Sequence, residues 1–154
     1  MAGVNTLTLL ENLLIELVEE AEMIKYFDNN YDISEKQLTG FFVGWKKPLS
    51  SEQHRKLLYG STHFVVAIDD ETDQVVGFVT ALSDGVCSSF IPLLEVLPNY
   101  QGKGIGTRLI EEILLRLHNI TNVDLTCDAE LQPFYKRFKM LKSNSMILRK
   151  FLDI

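Results

Sequence analysis

One stretch narrows the folding options of this chain more than any other. Residues 96–109 read Val-Leu-Pro-Asn-Tyr-Gln-Gly-Lys-Gly-Ile-Gly-Thr-Arg-Leu. A strand-like apolar run enters a tight turn with glycines at 102, 104 and 106. The turn passes directly into residues with helical apolar spacing. Glycines at alternate positions expose backbone N–H groups that no Cβ obstructs. The positive end of the helix dipole points at the same place. The segment therefore predicts an anion site, most naturally for phosphate.

Two widespread phosphate motifs do not fit. A Walker loop needs Ser or Thr after Gly-Lys, and Gly102-Lys103 is followed by Gly104. A dinucleotide fingerprint begun at Gly102 would need glycine at Thr107.

The elements around this turn follow from periodicity. Ile105, Leu109, Ile110, Ile113, Leu114 and Leu117 form one apolar stripe, so 105–117 reads as a helix. Strands are expected at 23–27, 63–68, 74–82, 90–97, 123–127 and 145–151, with Pro92 marking a bulge or an edge. Helices are expected at 34–42, with Ser34 as N-cap, at 51–59 and at 132–138. Residues 7–22 predict a further amphipathic helix, opened by a Thr8/Glu11 capping box and carrying Leu10, Leu13, Leu14, Leu17, Val18 and Ala21 on one side. The order suggests an α/β (α+β) protein, a mixed sheet flanked by helices.

Composition removes several function classes. The 154 residues suit one domain, and hydrophobic residues make up 46%, enough for a packed core. A formal net charge of −6 argues against a nucleic-acid partner. No apolar run reaches bilayer-spanning length and no secretory signal is evident, so neither a membrane partner nor export is expected. Cys87 and Cys127 make no metal pattern and read as free thiols in a reducing cytoplasm. His54, His63 and His118 are scattered, so no metal is expected.

Gln101-x-x-Gly104-x-Gly106, preceded by a strand and Pro98-Asn99-Tyr100, resembles the pyrophosphate-binding motif of the GNAT acyltransferase superfamily. Phe134-Tyr135-Lys136-Arg137-Phe138 resembles that family's second signature. The resemblance runs from about residue 23 to the C-terminus. It implies a GNAT-like domain over 23–154, with residues 1–22 as an N-terminal helical extension. Lys139 and Met140 depart from the pattern, which has a glycine and then an aromatic there, and this puts the local turn in question.

The resemblance also implies chemistry. Two central parallel strands splay apart, here 90–97 and 123–127, and the pantetheine arm of acetyl-CoA lies in the gap. Leu94, Glu95 and Val96 would line it, and Gln101, Gly102, Lys103, Gly104, Ile105, Gly106 and Thr107 would hold the pyrophosphate. A backbone N–H near Leu94 would steady the thioester oxyanion, an effect worth about 3–4 kcal/mol in the transition state. Tyr135 resembles the general acid that protonates the departing thiolate. Its alternative is a packed aromatic, because Leu131, Phe134 and Phe138 share its stripe.

The attacking amine must lose a proton, and Glu95, the only carboxylate on the splayed strand 90–97, is the candidate base. Asp128, Asp84 or a chain of waters are alternatives. Lys103 and Arg108 could balance phosphate charge or be solvated helix-end charges. Phe41, Phe42 and Trp45, in the segment that commonly walls the acceptor pocket in the family, are candidates for binding an amine, small or peptidic. Phe41 and Phe42 could instead close the core.

The expected activity is acetyl-CoA-dependent N-acetylation by direct attack on the thioester. A non-catalytic acyl-CoA-binding or regulatory module is the alternative. The apolar helix over 7–22 needs a cover, either its own domain or the same helix of a second chain in a homodimer.

Overall fold

Long β-branched and aromatic runs dominate the middle of the chain, and they form its sheet. The computed structural model describes residues 7, 9–15 and 23–148. Five strands lie in the order β1-β2-β3-β4-β5: β1 Ile24–Asp28, β2 His63–Asp69, β3 Gln74–Ser83, β4 Ser88–Val96 and β5 Asn122–Leu125. Neighbours from β1 to β4 run antiparallel, whereas β4 and β5 are parallel. The sheet is thus mixed, as expected.

In β2, Phe64 to Asp69 are all buried, and so are Val75 to Ala81 in β3. Burial on both faces requires cover on both. On one face lies the helix α3, Ile105–Arg116. On the other lie the helix α2, Ser51–Gly60, and the segment before it. Residues 9–15 are helical and are labelled α1, and α4 spans Gln132–Lys136. Ile105, Leu109, Ile110, Ile113 and Leu117 on and just after α3 are all at most 3% exposed. Each such side chain contributes about 2 kcal/mol of burial. Gly77 lets α3 sit close, because a Cβ there would meet Leu109 Cδ1 at 3.0 Å. Gly77 and Val96 therefore face α3, while Phe78 and its cross-strand neighbour Glu95 face α2.

Several expectations need correction. The helix expected at 34–42 is one 3-10 turn, Glu35–Gln37, in which the Gln37 side chain accepts from Ser34 N at 2.9 Å. Gly40 (φ 86) and Phe42 (φ 64) take left-handed conformations that end any helix. The Pro92 bulge is present in a central strand: the register with β3 shifts so that Ile91 and Pro92 face Ala81. Strand β5 is shorter than expected, ending at Leu125.

Residues 145–148 are not a strand and form no ladder with any strand among the described residues; 149–151 lie outside the described residues. In α1, Leu10, Leu13 and Leu14 are 56, 53 and 61% exposed, so this part is not packed on its own domain; Leu17, Val18 and Ala21 lie outside the described residues.

Candidate active site

Strands β4 and β5 separate where the sequence suggested. Their ladder runs from Ser88↔Asn122 to Ile91↔Leu125 and stops, leaving residues 92–96 with no strand on that side among the described residues. The direction of the backbone groups there can be fixed. Leu97 N donates to Val76 O at 2.8 Å, towards β3. Alternation then turns the N–H and C=O of Leu94 and Val96 the other way, into the gap. Gln101 Nε2 confirms this by donating to Val96 O at 2.9 Å from the open side. Leu94 thus presents a donor and an acceptor to anything lying in the splay.

At the wide end of the gap sits the glycine turn. Gly102 (φ 77) and Gly104 (φ 82) are left-handed, with open space where a Cβ would be. Gly104 caps α3, and Arg108 N is the first donor to reach back, to Gly104 O at 3.0 Å. The N–H groups of Ile105, Gly106 and Thr107 precede it and have no intrahelical acceptor. Tyr100 OH donates to Asp69 Oδ2 at 2.5 Å, which ties the approach to the turn onto the sheet.

Charges near the turn sort themselves. Arg108 pairs with Glu112 at 2.6 Å along its own helix, so its cation is drawn down α3. Lys103 Nζ lies 5.8 Å from the centre of the Tyr100 ring. Arg137, which sequence reasoning passed over, reaches across from beyond α4. Its Nη2 donates to Thr107 Oγ1 at 3.0 Å, and its guanidinium lies 4.8 Å from the Phe134 ring centre. Its sequence signal is the Phe134–Phe138 run itself, in which Arg137 stands two residues after Tyr135.

Tyr135 on α4 is half-buried. Burial pushes its hydroxyl above the usual phenol value of 10, and the nearby Cys127 thiol pushes it further. The group therefore stays protonated at neutral pH. The turn after α4 survives the loss of glycine: Lys139 itself adopts φ 61, and its N–H reaches Lys136 O at 3.0 Å.

On the α2 side, Glu95 Oε1 accepts from Phe42 N at 2.7 Å and Val43 N at 3.2 Å. Phe42 is a bulky residue at positive φ, a conformation that costs about 1–2 kcal/mol. The hydrogen bonds that the Phe42 and Val43 amides donate to Glu95 help to offset that cost. The rings of Phe41 and Phe42 are 8 and 2% exposed and close the core around His54 and Phe78. Val43 and Trp45 are left facing solvent. His54 is fully enclosed, and neither ring nitrogen has a hydrogen-bond partner among the described residues. Burial holds its pKa at about 4.

The splayed strands, the glycine turn and α4 all lie within one segment that matches a known domain. A profile of the acetyltransferase (GNAT) domain matches residues 60–139. This chain belongs to the GNAT acetyltransferase family. A crystal structure of a Deinococcus radiodurans protein assigned as an acetyltransferase is 38% identical, with a TM-score of 0.80 over 83% of this chain and 89% of that one. A GNAT family acetyltransferase of Streptococcus pneumoniae is 26% identical, with a TM-score of 0.68 over 84% of this chain and all of that one. An uncharacterized N-acetyltransferase of Pyropia yezoensis is 26% identical over 84% of this chain and 79% of its own length. Among the described residues no cluster suited to a metal ion occurs, and no helix is long and apolar enough to cross a membrane.

Proposed function

We propose that this GNAT acetyltransferase uses acetyl-CoA as donor and an amine as acceptor. The observation that carries the reading is the open edge of β4 beside the glycine turn. Val96 N–H and Leu94 C=O offer a donor and an acceptor to the pantetheine amides, as a neighbouring strand would, and Leu94 N–H is left for the thioester. The amides of Ile105, Gly106 and Thr107 suit the pyrophosphate, with Gly102 and Gly104 keeping the approach clear. Gln101, the first residue of the motif, acts by fixing Val96 O at the strand end. Arg137 supplies a cation beside Thr107.

The thioester brings an activated acyl carbon and a thiol leaving group. Leu94 N–H donates to the carbonyl oxygen as it gains charge. The free amine nitrogen forms the new bond to carbon as the C–S bond breaks. Glu95 takes the proton shed by the amine, using the oxygen that the loop amides leave free. Tyr135 gives its proton to the departing sulfur. Val43 and Trp45 form the exposed part of the acceptor wall, and Phe41 and Phe42 hold it from beneath.

Two further proposals accompany this reading. The free thiols Cys87 and Cys127 suit a reducing compartment such as the cytoplasm. The exposed leucines of α1 suit a second copy of this chain as partner. A chain starting at Met23 should then lose dimerisation in light scattering; a monomeric full-length protein at high concentration refutes the pairing.

Thiol detection with acetyl-CoA and a broad panel of amines tests the activity. Amine-dependent thiol release is expected. Tight CoA binding with no release for any amine would make the chain a binding module instead.

A further inference from the structure

We infer that Glu95 is the latch that positions the acceptor wall, a role separate from its action on the proton. The inference rests on the reading that residues 41–45 wall the acceptor site. Three left-handed residues, Gly40, Phe42 and Gly44, alternate along this segment. Such alternation turns successive N–H groups towards one point and forms a concave anion site in the backbone. The anion is supplied from within the chain, by Glu95 Oε1 on the amides of Phe42 and Val43. No cation pairs with Glu95 among the described residues, so the loop amides are its principal partners.

The consequence reaches the wall through two contacts. Phe42 O accepts from Trp45 N at 3.2 Å, and the two rings meet edge to face at 5.2 Å. Fixing the Phe42 amide therefore fixes the placing of Trp45. Glu95 sits between Leu94 and Val96 on β4. The strand that offers its edge to the donor thus carries, on its α2 face, the side chain that holds the wall for the acceptor. The two oxygens divide the work: Oε1 is committed to the loop, and Oε2 has no hydrogen-bond partner among the described residues.

Substitution separates the two roles. In Glu95→Gln an amide oxygen still accepts from both N–H groups, but the side chain no longer takes a proton. Glu95→Ala removes both functions. Trp45 is the only tryptophan, so its fluorescence reports the wall directly and without any substrate. Acrylamide quenching of Trp45 should be near parental in Glu95→Gln and rise about twofold in Glu95→Ala as the loop loosens. For any acceptor that turns over, Glu95→Gln should lower kcat with KM within about threefold, whereas Glu95→Ala should also raise acceptor KM about tenfold.

Circular dichroism establishes folding. If the alanine variant does not fold, Glu95→Asp replaces it, because its carboxylate is one methylene short of the two amides. Parental quenching in the folded alanine or aspartate variant overturns the latch. Equal disturbance by glutamine and alanine overturns it as well. Because quenching is read without donor or acceptor, a failure of the acetyl-transfer reading leaves it intact.

Discussion

Replacing His54 by leucine should make the protein less sensitive to mild acid. His54 lies among Phe41, Phe42 and Phe78, with its ring centre 4.3 Å from that of Phe78 and only 1% of its surface exposed. Neither nitrogen is hydrogen-bonded among the described residues, so the ring must stay neutral to remain buried. Its pKa falls from 6.5 unfolded to about 4 folded. Between those values the unfolded chain binds the proton and the folded chain does not, so stability falls as pH drops through this window. The full difference is about 3 kcal/mol, of which roughly 2 kcal/mol is lost between pH 7 and pH 4.5.

Leucine nearly matches histidine in volume and carries no polar atom to strand. Urea unfolding of the parent and His54→Leu at the two pH values is the assay. The parent should lose roughly 2 kcal/mol more than the variant over the interval. Asp28, Asp69 and Asp84, whose carboxyls are held below the usual range by hydrogen bonds, contribute the same acid loss to both proteins and cancel. Equal losses in parent and variant would refute the assignment of a neutral, unpartnered His54.

For Tyr135→Phe, turnover should fall about 10²-fold with little change in CoA affinity, as measured by steady-state kinetics and titration. With its pKa above 10, the parent should keep this acid through pH 9 and show no alkaline loss of kcat from it. The truncation at Met23 should separate dimerisation from CoA binding, and the Glu95 variants should separate wall placement from proton transfer.

The parts of this site that could be read in sequence are those written contiguously. Leu97 to Leu117 carries strand end, turn, cap and helix in one run, and each behaves as its local chemistry dictates. Phe41 and Phe42 misled because they continue a helical spacing from Leu38, whereas Gly40 and the left-handed Phe42 bury both rings from a loop. The partners of Glu95 lie more than fifty residues upstream, and no periodicity reveals such a pairing. His54 gave no signal beyond its scatter from other histidines; its enclosure depends on rings from α2, the loop and β3 together. Arg137 likewise acquires meaning only when α4 is set against the first turn of α3.

The measurement that bears most directly on the central claim is calorimetric titration of the parent and Gly104→Asp with acetyl-CoA. Position 104 is left-handed and has open space beside it, a conformation that Asp tolerates better than most residues, so the variant should fold. Its carboxylate would stand before the amides that open α3, where it repels phosphate. The account predicts saturable binding to the parent and at least a roughly tenfold weaker affinity for the folded variant. A folded Gly104→Asp that binds acetyl-CoA as tightly as the parent, or a parent that does not bind it, would contradict the account.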